Sequence, residues 1–361
     1  MKFPQIPSID KAWDSVTVKT LSPSTFAWVS RGCGYHVLLQ KALATFDDKT
    51  LSLPHGRSAI LGTIIHKMYE RTIKGELHSV GDLRVEWERL LKEEKDKLTL
   101  LYPTLRNVDL NDYDKRNSAI RYSIGMMRNP RPVPANPVGG RIVSSEMKLD
   151  CSDIGLRGTA DKLVQDNGMV DVIDFKSGHV TDDNGDIKSE YQVQLHLYAA
   201  MCEHKALGTP RRLSLVDIDG KYYDVPYRSD YCAQLLKDVK STIDRLNDSM
   251  KTRSIQPLVK PELGMCPLCA CRHVCLYRDI PADAPFQTLS GVVSDMPSTN
   301  MCVLLCGREK YYVSGLDAYE VDPPDDYLGK NLVFVNVVRS SPTADEHTFK
   351  ITDNTLVYEQ L

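Results

Sequence analysis

The stretch from residue 141 to residue 198 constrains the fold of this chain most. Apolar and polar residues alternate over Arg141–Asp150 and again over Gly155–Val164, which is the two-residue period of a β-strand. The pair Asn167-Gly168 follows, and Asn-Gly is a strong hairpin signal because a type I′ turn needs positive φ at both central positions. A third, more apolar run covers Met169–Lys176. The sequence therefore predicts a three-stranded meander.

The third strand ends in charged residues. Asp174 and Lys176 follow Val172 at a spacing of two, so these side chains share one face. A carboxylate and an ammonium group are costly to bury unless they are paired or bind a metal. Asp161, on the neighbouring strand, supplies a second carboxylate. Two carboxylates on adjacent strands can hold hard cations, while a lysine between them steadies a water molecule or a developing phosphorane charge.

Two helices are predicted to flank this meander. The first runs from about Ser58 to Lys74, and Gly62 and His66 share one of its faces. The second begins near Ser189, a plausible N-cap, and runs to about Lys205. One face of the second helix offers an amide and a phenol, because Gln194 and Tyr198 lie four residues apart.

Taken in order, these motifs resemble the RecB-type branch of the PD-(D/E)XK nuclease superfamily. That family implies an α/β fold with a restriction-endonuclease-like core, and a deoxyribonuclease that depends on Mg²⁺ or Mn²⁺. The implied substrate is single-stranded DNA or DNA ends, exonuclease action being favoured over endonuclease action, in DNA repair, recombination or anti-phage defence. The residues that carry the resemblance are Gly62 and His66, Glu146, the run Gly158-Thr159-Ala160-Asp161, the run Asp174-Phe175-Lys176, and the pair Gln194 and Tyr198.

The resemblance also implies a role for each of these residues. His66, Asp161, Asp174 and the carbonyl of Phe175 are expected to hold the metal ion, and Lys176 to orient the attacking water. Gln194 and Tyr198 are expected to position the nucleic-acid strand. Glu146 is expected to act through an outer-shell water or to hold a second ion.

The ten cysteines point to metal or cluster ligation rather than to disulfides, since the N-terminus lacks an apolar signal core and the chain is expected to be cytoplasmic. Cys266, Cys269 and Cys275 have a spacing that fits two kinds of site. A zinc knuckle would add His273 or Cys271. A 4Fe-4S cluster would add a distant fourth thiolate, Cys33.

The family resemblance favours the cluster. RecB-type nucleases of the AddB and CRISPR-associated kinds carry one cysteine in a helix before the histidine motif and three after the QxxxY helix. Cys33, Cys266, Cys269 and Cys275 match this order and spacing. Cys33 is expected inside a helix that Ser22 caps. The additional Cys271 keeps zinc as an alternative.

The length and the pattern of the chain suggest two domains. Residues 1–283 are assigned to the nuclease domain, with a helical insertion at about 75–140 and the cysteine cluster at 266–275. Residues 284–361 change to short β-rich runs and are assigned to a small barrel, OB-like by resemblance, with an SH3-like barrel as the alternative. Candidates for stacking on nucleic-acid bases are Tyr311, Tyr312, Phe334 and Phe349.

The net charge of −3 argues against a uniformly basic DNA-binding surface. DNA contacts are therefore expected at local clusters, one of which contains Arg128, Arg131 and Arg141. No stretch approaches the length of a transmembrane helix, so no membrane partner is expected. Two alternatives from other classes remain: a non-catalytic DNA-binding or scaffold subunit of a helicase-nuclease or defence complex, and a zinc-stabilised adaptor that acts through its barrel.

Overall fold

The computed structural model describes residues 3–6, 9–105, 107–128, 141–261, 266–281, 283–316, 327–340 and 347–360. Within these ranges the chain forms seven α-helices and two β-sheets, one of five strands and one of seven strands. The α-helices are α1 Pro23–Arg31, α2 Tyr35–Leu43, α3 Arg57–Ile73, α4 Val80–Leu101, α5 Tyr113–Arg128, α6 Ser189–His204 and α7 Ser229–Thr252. The strands are β1 Gln5–Ile6, β2 Ile142–Cys151, β3 Leu156–Asp166, β4 Met169–Lys176, β5 Thr209–Asp217, β6 Tyr222–Val225, β7 Gln287–Ser298, β8 Met301–Cys306, β9 Glu309–Ser314, β10 Asn331–Arg339, β11 Thr348–Lys350 and β12 Leu356–Gln360.

The predicted meander forms the first three strands of a five-stranded sheet in the order β2-β3-β4-β5-β6. The turn between β3 and β4 has φ values of +50° at Asn167 and +74° at Gly168, as a type I′ turn requires. Strand β5 pairs with β4 in parallel, while the other neighbours are antiparallel. The sheet therefore mixes a hairpin meander with one crossover, which α6 supplies.

Helices cover both faces of this sheet. On one face the ring of Phe175 packs against Tyr69 of α3 and Tyr122 of α5, with ring centroids 5.0 and 6.0 Å apart. On the other face α6 packs against β4 and β5, and α1 and α7 pack against α6. Because side chains alternate along β4, Asp174 and Lys176 point towards α6 while Phe175 points towards α3 and α5.

The first predicted helix is divided in two. Ser22 caps α1 as predicted, accepting a hydrogen bond of 3.0 Å from the backbone N–H of Thr25. The helix ends at Arg31, and a second helix, α2, begins at Tyr35. Gly32 and Gly34 flank the break, and glycine disfavours a helix interior. Cys33 thus lies between two helices, and the expectation that it lies inside one was wrong.

Two smaller expectations also change. Ser189 is the first residue of α6 and not its cap, because Lys188 occupies the cap position without a side-chain hydrogen bond. Helices α4 and α5 occupy the region expected to be a helical insertion, and α4 begins at Val80, directly after its N-cap Ser79, which forms a capping box with Asp82 in the first turn. Arg131, expected to contribute to a DNA contact, lies outside the described residues.

The C-terminal strands form a closed five-stranded barrel. Strands β7, β8 and β9 form an antiparallel meander, β9 pairs with β11 in parallel, and β10 closes the ring by pairing with both β11 and β7. The short strands β1 and β12 extend the sheet beyond β10. Phe334 and Phe349 lie in the barrel core, 0 % and 3 % exposed, so they cannot stack on bases; Tyr312 is 40 % exposed.

The barrel core and the large core around the first sheet share strand β10. Val333 and Val335 face the large core of the first sheet and its helices, whereas Phe334 and Val337 face the barrel interior. Tyr358 of β12 also faces the large core, with its ring 5.0 Å from that of His273. In the part of the chain that the structure describes, no helix combines the length and apolar character needed to cross a membrane.

A buried glutamate fastens α4 to α3. Glu86, 4 % exposed, accepts hydrogen bonds from Arg89 at 2.7 and 2.9 Å and pairs with Arg71 of α3. The bond from Arg89 outweighs the opposing effect of burial and, with Arg71, lowers the pKa of Glu86. The carboxylate is therefore the acceptor that joins two guanidinium groups from different helices.

Replacing Glu86 with glutamine should lower the free energy of unfolding by about 1–3 kcal/mol, because charged donors lose their acceptor. Glu88→Gln, which removes an exposed pair with Arg116, should change it by less than about 0.5 kcal/mol. Urea denaturation measures both. The Glu86 effect should be full at neutral pH and should fade as the pH falls through its lowered pKa. Equal stability of the two variants would contradict this role.

Candidate metal centre and cysteine pocket

Three ligating side chains converge at the edge of the first sheet. His66 comes from α3, Glu146 from β2 and Asp161 from β3, and one ligand atom of each lies within 4.8 Å of the others. The Nδ1 atom of His66 is 3.3 Å from Asp161 Oδ1 and 3.8 Å from Glu146 Oε1. All three residues are partly exposed, so this group is open to solvent and to a ligand.

Local backbone geometry explains why these three meet. The register of β2 and β3 places Glu146 opposite Asp161, because Ser145 pairs with Lys162 and Met147 with Ala160. Glu146 has φ = +48°, a left-handed conformation that is uncommon for a residue with a side chain. On α3, a Cβ added at Gly62 would lie 3.0 Å from Ser177 Oγ, so the glycine allows α3 to approach the end of β4.

The electrostatics of this group favour positive charge. Burial disfavours a charged imidazole and by itself lowers the pKa of His66. The carboxylates of Asp161 and then Glu146 have a larger opposite effect and raise this pKa to about 10. Asp161 is held in place by a hydrogen bond of 2.7 Å from the backbone N–H of Phe175 to its Oδ2. One oxygen of Asp161 is thus fixed to β4, and the other faces His66.

Asp174 and Lys176 form a buried ion pair beside this group. Asp174 is 2 % exposed, and its Oδ2 lies 2.7 Å from the Nζ of Lys176. The amide of Gln194 bridges the pair: its Nε2 donates to Asp174 Oδ1 at 3.0 Å and its Oε1 accepts from Lys176 at 2.8 Å. Burial raises the pKa of Asp174, against the opposing field of Lys176. Asp174 is therefore engaged with its own partners and is not among the three converging ligands.

The two other predicted site residues, Tyr198 and Phe175, make hydrogen bonds within the protein. The hydroxyl of Tyr198, on the α6 face of Gln194, donates to the carbonyl of Thr159 at 2.6 Å and is buried. The main-chain N–H of Phe175 donates to Asp161 Oδ2, and the expected role of its carbonyl as a metal ligand stays a prediction. Sequence reasoning missed Tyr191, whose ring lies 4.4 Å from the Nζ of Lys176. The sequence did contain a signal: Tyr191 precedes Gln194 by three residues on the same helix, so the two side chains lie on one face.

A cleft of about 830 Å³ with mixed polar and apolar walls opens on the α3 and α5 side of the sheet. Lys162 lies in its wall, whereas Asp161, the preceding residue of β3, does not line the cleft because successive side chains of a strand point to opposite faces. Lys74 lies in another wall of the cleft, and the nearby carboxylates of Glu70 and Glu146 raise its pKa. The basic side chains that line the cleft are Lys74, Arg141, Lys162 and Arg212.

The four cysteines expected to bind a cluster line a single narrow pocket. Cys33 reaches it from the break between α1 and α2, and Cys266, Cys269 and Cys275 reach it from the segment after α7. A hydrogen bond from the Cys271 thiol and the nearby His36 lower the pKa of Cys269. Burial, and then neighbouring thiols including Cys33, raise the pKa of Cys275 to about 11. The thiols are therefore close enough to repel one another when ionised.

Other residues near this pocket were missed or have changed roles. His36, three residues after Cys33, has its Nδ1 3.3 Å from the Sγ of Cys269. His273, considered as a zinc ligand, is buried with its Nε2 2.7 Å from the carbonyl oxygen of Leu51, and it does not line the pocket. Burial lowers the pKa of His273 to about 4. It is engaged in packing the cysteine segment against the core.

Comparison with known protein families agrees with this geometry. A family model described as the PD-(D/E)XK nuclease superfamily matches residues 20–276, which include both sets of candidate ligands. The chain belongs to the PD-(D/E)XK nuclease superfamily. That membership suggests a metal-dependent nuclease. A comparison with curated proteins returned no match to this chain.

Steric crowding explains why the first residue of the Gly-Thr-Ala-Asp run, Gly158, is a glycine. A Cβ added at Gly158 would lie 2.9 Å from Pro23 Cδ and 3.2 Å from a ring carbon of Tyr198. Gly158→Ala should therefore lower the free energy of unfolding by about 1–3 kcal/mol through overpacking. Gly125→Ala in α5, where a Cβ meets nothing within 4 Å, should leave stability unchanged or raise it by up to about 1 kcal/mol. Denaturant titration of both variants checks this, and a neutral Gly158→Ala would contradict it.

Proposed function

We propose that this protein is a Mg²⁺- or Mn²⁺-dependent deoxyribonuclease that hydrolyses phosphodiester bonds. The observation that carries the proposal is the convergence of His66, Glu146 and Asp161 beside the buried pair of Asp174 and Lys176. Carboxylate oxygens suit hard cations such as Mg²⁺ and Mn²⁺, and one imidazole is compatible with Mn²⁺. The carboxylates of Asp161 and Glu146, which raise the pKa of His66, give the site a negative field that attracts a cation, and His66 would lose its proton on binding the ion.

Within this proposal His66, Glu146 and Asp161 hold the divalent ion. A bound ion supplies Lewis acidity and lowers the pKa of the water that attacks the phosphodiester. The sequence motif had assigned Asp174 to the ion and left Glu146 with an outer role. The contacts support Glu146 as a ligand and Asp174 as the partner of Lys176, or as a ligand of a second ion if Lys176 moves away.

Lys176 is proposed to orient the attacking water and to stabilise negative charge that develops on the phosphate. Its ammonium group is fixed by Asp174, by Gln194 and by the face of the Tyr191 ring. Three partners from two elements hold the nitrogen in one place, so little reorganisation is needed during the reaction. Gln194 acts by orienting both charged groups, and Tyr198 supports the strand that carries Asp161.

Single-stranded DNA, acted on at its ends, is the proposed substrate. The resemblance to RecB-type nucleases supports exonuclease action, and the cleft that carries Lys74, Arg141, Lys162 and Arg212 offers basic side chains to phosphates. The barrel adds an exposed face with Tyr312 and Lys310 on β9 and the cross-strand pair of Val292 and Leu305. An aromatic ring beside a cationic side chain is the combination on which bases stack in OB-like barrels.

The cysteine pocket is proposed to hold a 4Fe-4S cluster through Cys33, Cys266, Cys269 and Cys275. The four thiols line one pocket although Cys33 and the other three come from opposite ends of the first domain. Their order and spacing along the chain match the iron-sulfur pattern of RecB-type nucleases, which supports a cluster with a structural role.

The biological setting follows from the same proposals. We propose that the protein acts in the reducing cytoplasm, where cysteines serve metal or cluster sites rather than disulfides. DNA repair, recombination or anti-phage defence, with a helicase or defence-complex partner, is the setting that the RecB-type resemblance supports. A non-catalytic scaffold is the alternative, and the complete set of charged residues at the site weighs against it.

Lys176→Ala should lower the rate of DNA cleavage about 10²- to 10⁴-fold while leaving DNA binding nearly unchanged. Lys188→Ala is the matched control: the Nζ of Lys188 lies 5.8 Å from the centroid of the same Tyr191 ring, and this variant should retain activity. The measurement is digestion of end-labelled single-stranded and duplex DNA with Mg²⁺, Mn²⁺ or a chelator. Wild-type rates in Lys176→Ala would refute the role of the lysine. No cleavage by the unaltered protein with any ion would favour the scaffold.

Cys33→Ser should remove most of the iron and sulfide from anaerobically purified protein, because one of four ligands is lost. Cys306→Ser is the control: its thiol donates to the carbonyl of Ser290 at 2.7 Å, a bond that a hydroxyl can replace. Iron, zinc and sulfide content and the visible absorption spectrum are measured for each protein. Zinc without sulfide in the unaltered chain would establish the zinc alternative, and full iron content in Cys33→Ser would exclude Cys33 as a ligand.

A further inference from the structure

Two arginines lie between the cysteine pocket and the barrel, and they make matching contacts. The Nη1 of Arg272 donates to the carbonyl of Cys269 and the Nη1 of Arg278 to the carbonyl of Cys275, each at 2.9 Å. The Nη2 atoms point the other way: Arg272 donates to Asn336 Oδ1 at 2.6 Å, and Arg278 to Ser290 Oγ at 2.7 Å. Each guanidinium group therefore joins a cysteine to a barrel strand.

These cations are partly buried beside thiols, and no carboxylate of the described residues pairs with them. Both arginines line the pocket that contains the four cysteines. Across the described ranges, neither guanidinium group forms an ion pair with a carboxylate, and their polar partners are carbonyl, amide and hydroxyl oxygens. A buried cation without a counter-charge is costly. The groups near Arg272 that can carry negative charge are Cys269 and then Tyr358, and those near Arg278 are Cys275 and then Cys306.

The barrel residue that receives Arg272 is itself held in place. Asn336 has φ = +65° at an irregularity in the pairing of β10, and asparagine tolerates this left-handed conformation. Its Nδ2 donates to the carbonyl of Asn354, and its own carbonyl accepts from Thr355 Oγ1 at 2.9 Å. Hydrogen bonds within the barrel therefore fix the orientation of Asn336, whose Oδ1 accepts from Arg272.

We propose that Arg272 and Arg278 balance the negative charge of the thiolate-bound group and, through Asn336 and Ser290, fasten the barrel to it. This inference rests on the metal or cluster proposed for the cysteine pocket, and it is independent of nuclease activity. Thiolates that bind iron or zinc keep a net negative charge, which the two guanidinium groups offset. Without that charge the arginines gain by turning towards water, and both links to the barrel are lost.

The first test uses the unaltered chain. Hydrogen exchange is compared between protein purified anaerobically with its metal and the same protein after the metal is removed by a chelator. Peptides containing Ser290 and Asn336 should exchange faster after removal, while peptides from β3 and β4 should change less. Unchanged exchange at Ser290 and Asn336 would overturn the inference. A chain that binds neither iron nor zinc would overturn it too, and would leave the nuclease proposal standing.

Substitutions separate charge from hydrogen bonding. Arg272→Gln and Arg278→Gln should each speed the loss of iron to a chelator about 10- to 100-fold, the effect expected of residues that support a metal site. Arg308→Gln, in the exposed turn between β8 and β9, is the control and should behave as the unaltered chain. Arg272→Lys keeps the charge but not both hydrogen bonds, so it should retain iron while exchange at Asn336 rises. Iron loss from Arg272→Gln and Arg278→Gln at the control rate would overturn the charge-balancing role.

Discussion

The buried ion pair of Asp174 and Lys176 is the interaction on which the candidate site depends. Two charges taken out of water are stable only when their remaining hydrogen-bonding capacity is satisfied. Gln194 satisfies both members at once, since its amide donates to one and accepts from the other. This arrangement requires α6 to lie across the end of β4. The same contact places the end of β4 next to Asp161, whose Oδ2 is held by the N–H of Phe175.

Much of this arrangement could be predicted from the sequence because its causes are local. The Asn167-Gly168 turn and the alternation of β3 and β4 determine which side chains share a face, and both were predicted correctly. Residues four apart on α6 likewise had to lie together. The short strands β11 and β12 were not predicted, since three to five residues carry little periodic signal and their pairing partners are distant in the chain. The break at Cys33 was missed because apolar residues on both sides fit one helical stripe.

The different roles of Glu146, Asp161 and Asp174 could not be predicted from the sequence. A motif gives the order of Glu146, Asp161 and Asp174, but not the backbone conformation at each of them. The left-handed φ of Glu146 and its register opposite Asp161 turn its carboxylate towards His66. Strain of this kind is held in place by surrounding structure and is often found at functional sites. The choice between Glu146 and Asp174 as ligand therefore depends on tertiary contacts.

The cysteine pocket has a physical role that follows from where its members lie in the chain. His36, beside Cys33, and Cys269 are 233 residues apart, so any group that joins the two segments closes a loop containing most of the nuclease core. Closing so long a loop in the unfolded chain is entropically costly, and a bound group that holds it closed stabilises the folded state accordingly. The barrel is already joined to that core through the shared strand β10 and the contact between His273 and Tyr358. The cysteine segment lies between the two cores, so its bound group can influence both the closure of the nuclease core and the seating of the barrel.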